Sequence, residues 1–351
     1  MTKVSVIIPV YNSEMYLEDA VSTVLNQTLE DIEVILINDC STDQSGLICN
    51  KLEENDERVR VVHLEKNKGL CGARNEGIRI SKGEYVAFCD NDDHFTPNLL
   101  KDNYATAITY NAQMVKYGRK LIDIDSKGNI LREKESPISQ FYLFEEKEKM
   151  LNNFFLIKSM GLLTNVWNGI YKRSTLIEND IWFNESMRFG SEDADFSFRF
   201  FLNTNCLAVN PKSYYIHYRR DAFSTSRKYS LNKIASMIKT AESESTIWKD
   251  IDKTPENQEN IILAKNNYVI NIALYQIFHK DNTLSHIEKI NILKKIRNTP
   301  YLSYKLDKSI SKRIRKSNLK QWLFTKLYGK KYFAFLYGLL YFENLVKGEK
   351  W

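Results

Sequence analysis

Short β-branched runs alternating with helical stretches fill the first hundred residues, and this rhythm constrains the fold more than any other feature of the chain. Val4-Ser5-Val6-Ile7-Ile8 is the first run, and Pro9 is expected to close it. Glu14 to Asn26 follows, with Leu17, Ala20, Val21, Val24 and Leu25 at the spacing of an amphipathic helix. Glu33–Ile37, Val59–Leu64 and Tyr85–Cys89 read as further strands, separated by helices through Ile48 and Leu52 and over Ala73–Ile80. Such alternation gives parallel pairing with right-handed crossovers. Ligands of these sheets bind off the carboxyl ends of the strands. The polar loops after Ile8, Ile37, Leu64 and Cys89 should therefore converge as a nucleotide-type pocket.

The last of these loops is acidic. Asp90-Asn91-Asp92-Asp93 follows a buried strand directly, and three crowded carboxylates repel unless a cation sits among them. Mg²⁺ or Mn²⁺ on hard oxygen ligands is the natural partner, with positions left open for phosphates. A solvated loop leading into a helix at Thr96-Pro97 is the competing explanation.

Bulk properties narrow the class. With 43% apolar and 27% charged residues the composition is that of a globular protein. No apolar stretch reaches the roughly eighteen residues of a membrane span, and Met1-Thr2-Lys3-Val4 enters a strand with no room for a signal peptide. Cys40, Cys49, Cys71, Cys89 and Cys206 are scattered, which argues against disulfides or a zinc site and suits a reducing cytoplasm.

Beyond Ser230 the pattern is almost purely helical, with Leu231, Ile234, Met237, Ile238 and Ala241 forming one face. Helices are also expected from Thr254-Pro255 to Phe278 and over Thr283–Asn298, and the domain boundary near Tyr229. From Tyr301 to Lys331 ten Lys or Arg face the single acid Asp307, so this segment carries the positive charge of a chain whose net charge is +6. The basic and aromatic stretch Lys312–Phe342 is too short to span a bilayer but suits an anionic membrane surface. Packing on the helical domain, or self-association into a homo-oligomer, would use the same residues. Nucleic acid is disfavoured, since no recognised binding motif accompanies the charge.

Pro9-Val10-Tyr11-Asn12, Asn38 to Asp43, Asn67 to Asn75, Asp90 to Asp93, Trp167 to Arg173, Ser191-Glu192-Asp193 and Tyr215 to Ser226 stand in an order that resembles family 2 glycosyltransferases. The resemblance is to members with the GT-A fold that build bacterial surface polysaccharides. It implies a nucleotide-sugar-binding and catalytic domain over 1–229, a mostly parallel sheet flanked by helices, followed by a helical region over 230–351.

The resemblance also implies a function. An inverting transferase would move a sugar from a UDP-sugar to a hydroxyl of a glycan or lipid-linked oligosaccharide, at the cytoplasmic face of the membrane. Asp39 would take the base, with Pro9, Tyr11, Asn12, Glu14 and Asn67 beside it, although members usually carry an acid where Asn38 stands. Arg74 and Arg219 would face the diphosphate, with Asp90 and Asn91 steadying the ribose. Asp92 and His217 would hold Mn²⁺ or Mg²⁺, and Asp193 beside Glu192 would be the general base. Trp167 and Asn168 would line the acceptor side. Two other classes compete, a nucleotidyltransferase on a similar sheet and a non-catalytic membrane-attached scaffold. The first lacks a glycine-rich basic loop at Val10–Glu14, and the second has no need of both Asp92 and Asp193.

Overall fold

Val4–Val10 (β1) is buried at every position, because helices cover both faces of the sheet it centres. The computed structural model describes the chain apart from residues 126, 137, 188, 189, 221–229, 280 and 348–351, with side chains described through residue 341. Val6, Ile8 and Val10 join Leu17, Val21 and Val24 of α1 (Leu17–Leu25) in one apolar cluster. Ile7 points the other way, onto α3. The strand continues through Pro9 rather than ending there. Its neighbour β4 pairs only as far as Ile7↔Phe88, so beyond that point β1 has β2 alone beside it and tolerates a residue with no N–H.

The remaining strands are β2 (Ile32–Asn38), β3 (Val59–His63), β4 (Tyr85–Phe88), β5 (His94–Phe95), β6 (Met114–Ile124), β7 (Ile130–Glu135), β8 (Tyr142–Glu145), β9 (Gly169–Lys172) and β10 (Cys206–Arg220). Their order is β3-β2-β1-β4-β9-β6-β10-β5, with β7 on β6 and β8 on β10. The amino-terminal strands β3, β2, β1 and β4 are parallel, as the alternation requires. β9 enters antiparallel between β4 and β6. The helices of this part are α2 (Ser45–Asn55), α3 (Gly69–Ile80), α4 (Leu99–Thr109), α5 (Lys147–Asn152), α6 (Phe154–Ser159), α7 (Arg173–Glu178) and α8 (Glu192–Leu202). The architecture is the mixed α/β sheet flanked by helices that the strand rhythm implies.

Two pairings of β10 matter for the site. It runs parallel to β6 over most of its length, and near its end Tyr215 and Ile216 pair antiparallel with Phe95 and His94 of β5. Because β5 follows Asp93 at once, this short pairing brings the acidic loop against residues 215–220.

The chain divides into two compact units, residues 1–188 with 192–224 and residues 189–191 with 225–351. The boundary expected near Tyr229, like the 221–226 end of the last family signature, lies outside the described residues. The second unit contains α9 (Asn232–Asp250), α10 (Pro255–Ile272), which passes into a π turn at Ala273–Ile277, α11 (His286–Arg297), α12 (Lys308–Ser317), α13 (Leu319–Gly329) and α14 (Phe333–Lys347). Thr254 caps α10 ahead of Pro255, Ser285 and Glu288 form a capping box on α11, and Asp307 and Asn318 cap α12 and α13. Phe324, Tyr328, Leu336, Tyr337 and Leu340 are buried in this unit's core with Val269, Ile272 and Leu293. Much of the aromatic tail therefore packs inward, while Leu319, Tyr332 and Phe335 stay exposed.

Gly77 is where α3 meets β1. A Cβ there would stand 2.4 Å from Cγ2 of Ile7, a buried side chain with nowhere to move. Gly77→Ala is expected to cost about 1–3 kcal/mol through overpacking. The measurement is a lower urea midpoint at unchanged m-value.

Candidate active site

The loops after β1, β2 and β3 are stitched by short polar bonds. Asn12, at φ 48°, accepts the Thr42 N–H on Oδ1 at 2.8 Å, and Glu14 accepts the Gln44 N–H at 2.8 Å. Asn67 donates to the Asp39 carbonyl at 3.0 Å, and Asn91 donates to the Pro9 carbonyl at 2.9 Å. Tyr11 is half exposed beside them. Pro9, Tyr11, Asn12, Glu14, Asp39, Asn67 and Asn91 thus lie in one connected loop cluster. Asp39 is nearly buried, its two oxygens accepting the N–H groups of Lys68 at 2.6 Å and Gly69 at 2.8 Å at the start of α3. Each oxygen retains a second lone pair for a further donor. The Asn38 side chain is engaged elsewhere, its amide bridging His63 Nδ1 at 2.8 Å and the Ser41 N–H at 3.1 Å.

Arg74 differs from expectation. Carried on α3, it is 1% exposed and turned into the protein rather than toward a diphosphate. Nη1 lies 2.6 Å from Asp193 Oδ1 and 3.8 Å from Glu192, and Nη2 lies 3.1 Å from Asp90. Its guanidinium also stacks over Phe183 and Phe88. Burial opposes its charge, but Asp193, Asp90 and Glu192 together hold it protonated. One cation cannot satisfy three acids in full. Burial, only partly countered by Arg74, pushes Asp90 up to about 7. Burial and then the charge of Asp193 push Glu192 up to about 7. Glu192 and Asp193 begin α8, where the helix dipole favours negative charge.

Asp93 is a fully buried hub. It accepts Tyr215 OH at 2.8 Å, His217 Nδ1 at 2.8 Å and the Tyr218 N–H at 2.9 Å. Burial resists charge on His217, yet the bond to Asp93 and its negative charge raise the imidazole's pKa overall. Trp167 stacks under Tyr215 at 4.4 Å and under His217 at 5.2 Å. At 5% exposed it is a floor to the site, not an acceptor wall, and Asn168 is deeper still. Trp167 packs beneath β10, and Asn168 is taken up by Lys116 and Tyr117 of β6.

Asp92 pairs with Arg220 at 2.8 Å, while burial and then Asp93 push its carboxyl up to about 6. Arg219, expected at the diphosphate, instead grips Asp123 with bonds of 2.6 and 2.8 Å. Neighbouring strand residues project oppositely, so Arg219 and Arg220 meet different acids at the end of β10. Arg220 is the residue that the sequence reading missed, and Tyr16 and Tyr218 beneath its guanidinium fix it.

Among the described residues no three His, Cys, Asp or Glu side chains are already gathered into a metal cage. Asp92 and His217 do offer one oxygen and one nitrogen donor, close enough for each to feel the other's charge. His217 Nε2 has no partner among the described residues, since Asp93 takes Nδ1. A set of this kind suits a divalent ion that completes its shell with substrate phosphates and water.

Residues 5–166 match the sequence model of Glycosyl transferase family 2. The chain carries a family 2 glycosyltransferase domain. Among the relatives of this glycosyltransferase domain is the uncharacterized glycosyltransferase EpsJ of Bacillus subtilis, 29% identical over 61% of this chain and 60% of that protein. Another is the poly(ribitol-phosphate) β-N-acetylglucosaminyltransferase TarS of Staphylococcus aureus, 31% identical over 65% of this chain but only 38% of TarS. The fold compares with a crystal structure of TarS residues 1–349 in complex with UDP-GlcNAc at a TM-score of 0.71, with 22% identity over 99% of this chain and 92% of that one.

The acid cluster predicts a pH response. Asp90 and Glu192 titrate near 7 in the fold against ordinary values of 3.8 and 4.5, so the native state keeps protons that the unfolded chain releases. Their contribution to stability is full below about pH 4 and is lost as pH rises through about 7. In metal-free buffer an Asp90→Asn/Glu192→Gln double variant should therefore lose less stability than the parent between pH 5 and pH 8. Parallel profiles in urea titrations would contradict the assignment.

Proposed function

We propose that the chain is an inverting glycosyltransferase that moves a sugar from a UDP-sugar to a hydroxyl of a surface glycan or lipid-linked acceptor. The observation that carries this reading is the shared guanidinium of Arg74. It places Asp90, on the loop beyond β4, and Asp193, at the start of α8, on two arms of one cation. A single displacement needs an acceptor-side base beside the bound donor, with no enzyme nucleophile between them.

In this mechanism Asp193 takes the proton from the acceptor hydroxyl as that oxygen attacks the anomeric carbon. The bond from that carbon to the diphosphate oxygen breaks, its electron pair leaves with UDP, and Asp193 ends protonated. Arg74 holds Asp193 Oδ1, and the Val166 N–H reaches Oδ2 at 3.3 Å, so the base has a defined direction. Asp39, Tyr11 and Asn67 would meet the uracil, and Asp90 with Asn91 the ribose. Asp92 and His217 would hold Mn²⁺ or Mg²⁺, which when bound offsets the negative charge growing on the departing diphosphate. Arg220 adds a fixed positive charge beside them.

The TarS relative supplies the first trial donor, UDP-GlcNAc, and a first trial acceptor class, a polyol-phosphate glycan. A panel of UDP-, GDP- and dTDP-sugars with Mn²⁺, read by nucleotide release, should single out one UDP-sugar. Asp193→Asn should then lower transfer by about 10²- to 10⁴-fold, the usual share of a general base, with UDP binding little changed. Wild-type turnover in that variant would end the base assignment. Asp92→Ala should weaken metal-dependent UDP binding in calorimetry.

The second unit supports a membrane-facing reading of the acceptor. A groove of about 510 Å³ is lined by Ile287, Ile290, Tyr332 and Phe335 with Lys294 and Lys331. Ile287 and Phe335 are 73% and 74% exposed. Apolar side chains beside cations match an anionic lipid surface. Ile287→Asp/Phe335→Asp should reduce sedimentation with phosphatidylglycerol vesicles relative to the parent chain; equal sedimentation would refute the membrane role of this face.

A further inference from the structure

Lys116 on β6 stands opposite Gly169 of β9 in the antiparallel register and has no exposed surface. Lysine is almost never fully buried unless it is paired. Its Nζ donates to the Asn165 carbonyl at 2.8 Å, to Tyr171 OH at 2.8 Å and to Asn168 Oδ1 at 3.0 Å. Tyr171 OH in turn donates to the Val166 carbonyl at 3.0 Å, so it is an acceptor toward Lys116. Three acceptors match the three protons of an ammonium. Burial pulls the Lys116 pKa well down, while the Asp193 carboxylate opposes that shift.

The surroundings are shaped to this side chain. A Cβ on Gly169 would lie 2.7 Å from Lys116 Cδ, 3.2 Å from Nζ and 3.1 Å from the Val115 carbonyl oxygen, so Lys116 and the β6 backbone together crowd position 169. The segment 165–171 thus wraps one buried cation, held at its start, its middle and its end. Inside the wrapped segment, the Val166 N–H donates to Asp193 Oδ2.

We propose that Lys116 is a positioning residue for sugar transfer: its ammonium fixes segment 165–168 so that the Val166 N–H aims the carboxylate of Asp193. The inference rests on the reading of Asp193 as the base. A methionine would fill the same volume, so space-filling alone does not require a lysine.

The register supplies the test. In Lys116→Ala/Gly169→Lys the ammonium would enter the same space from the facing strand. Full-length parent, Lys116→Met, the exchanged pair and Asp193→Asn are compared for hydrolysis of the UDP-sugar selected by the donor panel, with water standing in for the acceptor. UDP binding with Mn²⁺ is read by calorimetry and folding by thermal melting. Lys116→Met should lower kcat by about 10- to 100-fold, the scale for residues that orient a functional group, while UDP affinity stays unchanged. The exchanged pair should recover most of the loss.

A folded Lys116→Met with parental kcat overturns the proposal, as does an exchanged pair that melts like the parent but stays slow. Should Lys116→Met fail to fold, the exchanged pair alone decides by the same criterion. Parental turnover in Asp193→Asn would remove the base reading and this inference with it. An inactive Asp193→Asn beside a fully active Lys116→Met removes only the inference.

Discussion

The candidate site is organised around the buried guanidinium of Arg74. Arg74 leaves α3, lies over the rings of Phe88 and Phe183, and meets acids from two distant stretches of sequence. Removing one member of such a cluster leaves uncompensated charge in a low-dielectric setting, which costs on the order of 3–5 kcal/mol. The arrangement is therefore held by its own electrostatics. Asp90 and Asp193 cannot drift apart without exposing Arg74 to an apolar wall.

A second hub gathers polar partners around one buried acid. Asp93 ends its loop under β10 and gathers a phenol, an imidazole and a backbone N–H. That set explains why the three neighbouring acids fare differently. Asp93 spends its lone pairs internally, Asp90 answers to Arg74, and Asp92 alone pairs with a cation at the rim of the site. The repulsion legible in the sequence is resolved by dividing the acids among three environments.

Much of the fold was legible because it rests on periodicity. The parallel β1–β4 core, the helices between its strands and the helical carboxyl-terminal region follow from apolar spacing and from a helix start such as Thr254-Pro255. The convergence of the loops near Asn12, Asp39, Asn67 and Asn91 follows from sheet topology. What failed to show was side-chain direction. Arg219 and Arg220 differ by one position and face different partners. Arg74 was expected to face a diphosphate, and the later acids Glu192 and Asp193, over a hundred residues away, hold it in the interior. Trp167 carried an aromatic signal without saying which face it would floor. Lys116 gave no signal at all, since a lone lysine in an apolar strand discloses its partners only when β9 comes to lie beside β6.

The order in which the site is made follows from where its parts lie in the chain. Domains form in the direction of synthesis, and residues 4–88 hold the four parallel strands that emerge first. Of the three acids in the loop, Asp90 takes its counter-charge from Arg74 within this early stretch, whereas Asp93 and Asp92 take their partners from β10. The pairing of Tyr215 and Ile216 with β5 arrives last, and with it come His217 and Arg220. A nascent chain that stops before β10 is an acid-rich half-pocket without its imidazole or its rim arginine. Completion of one strand is therefore also the moment at which the acidic loop acquires its imidazole and its rim arginine.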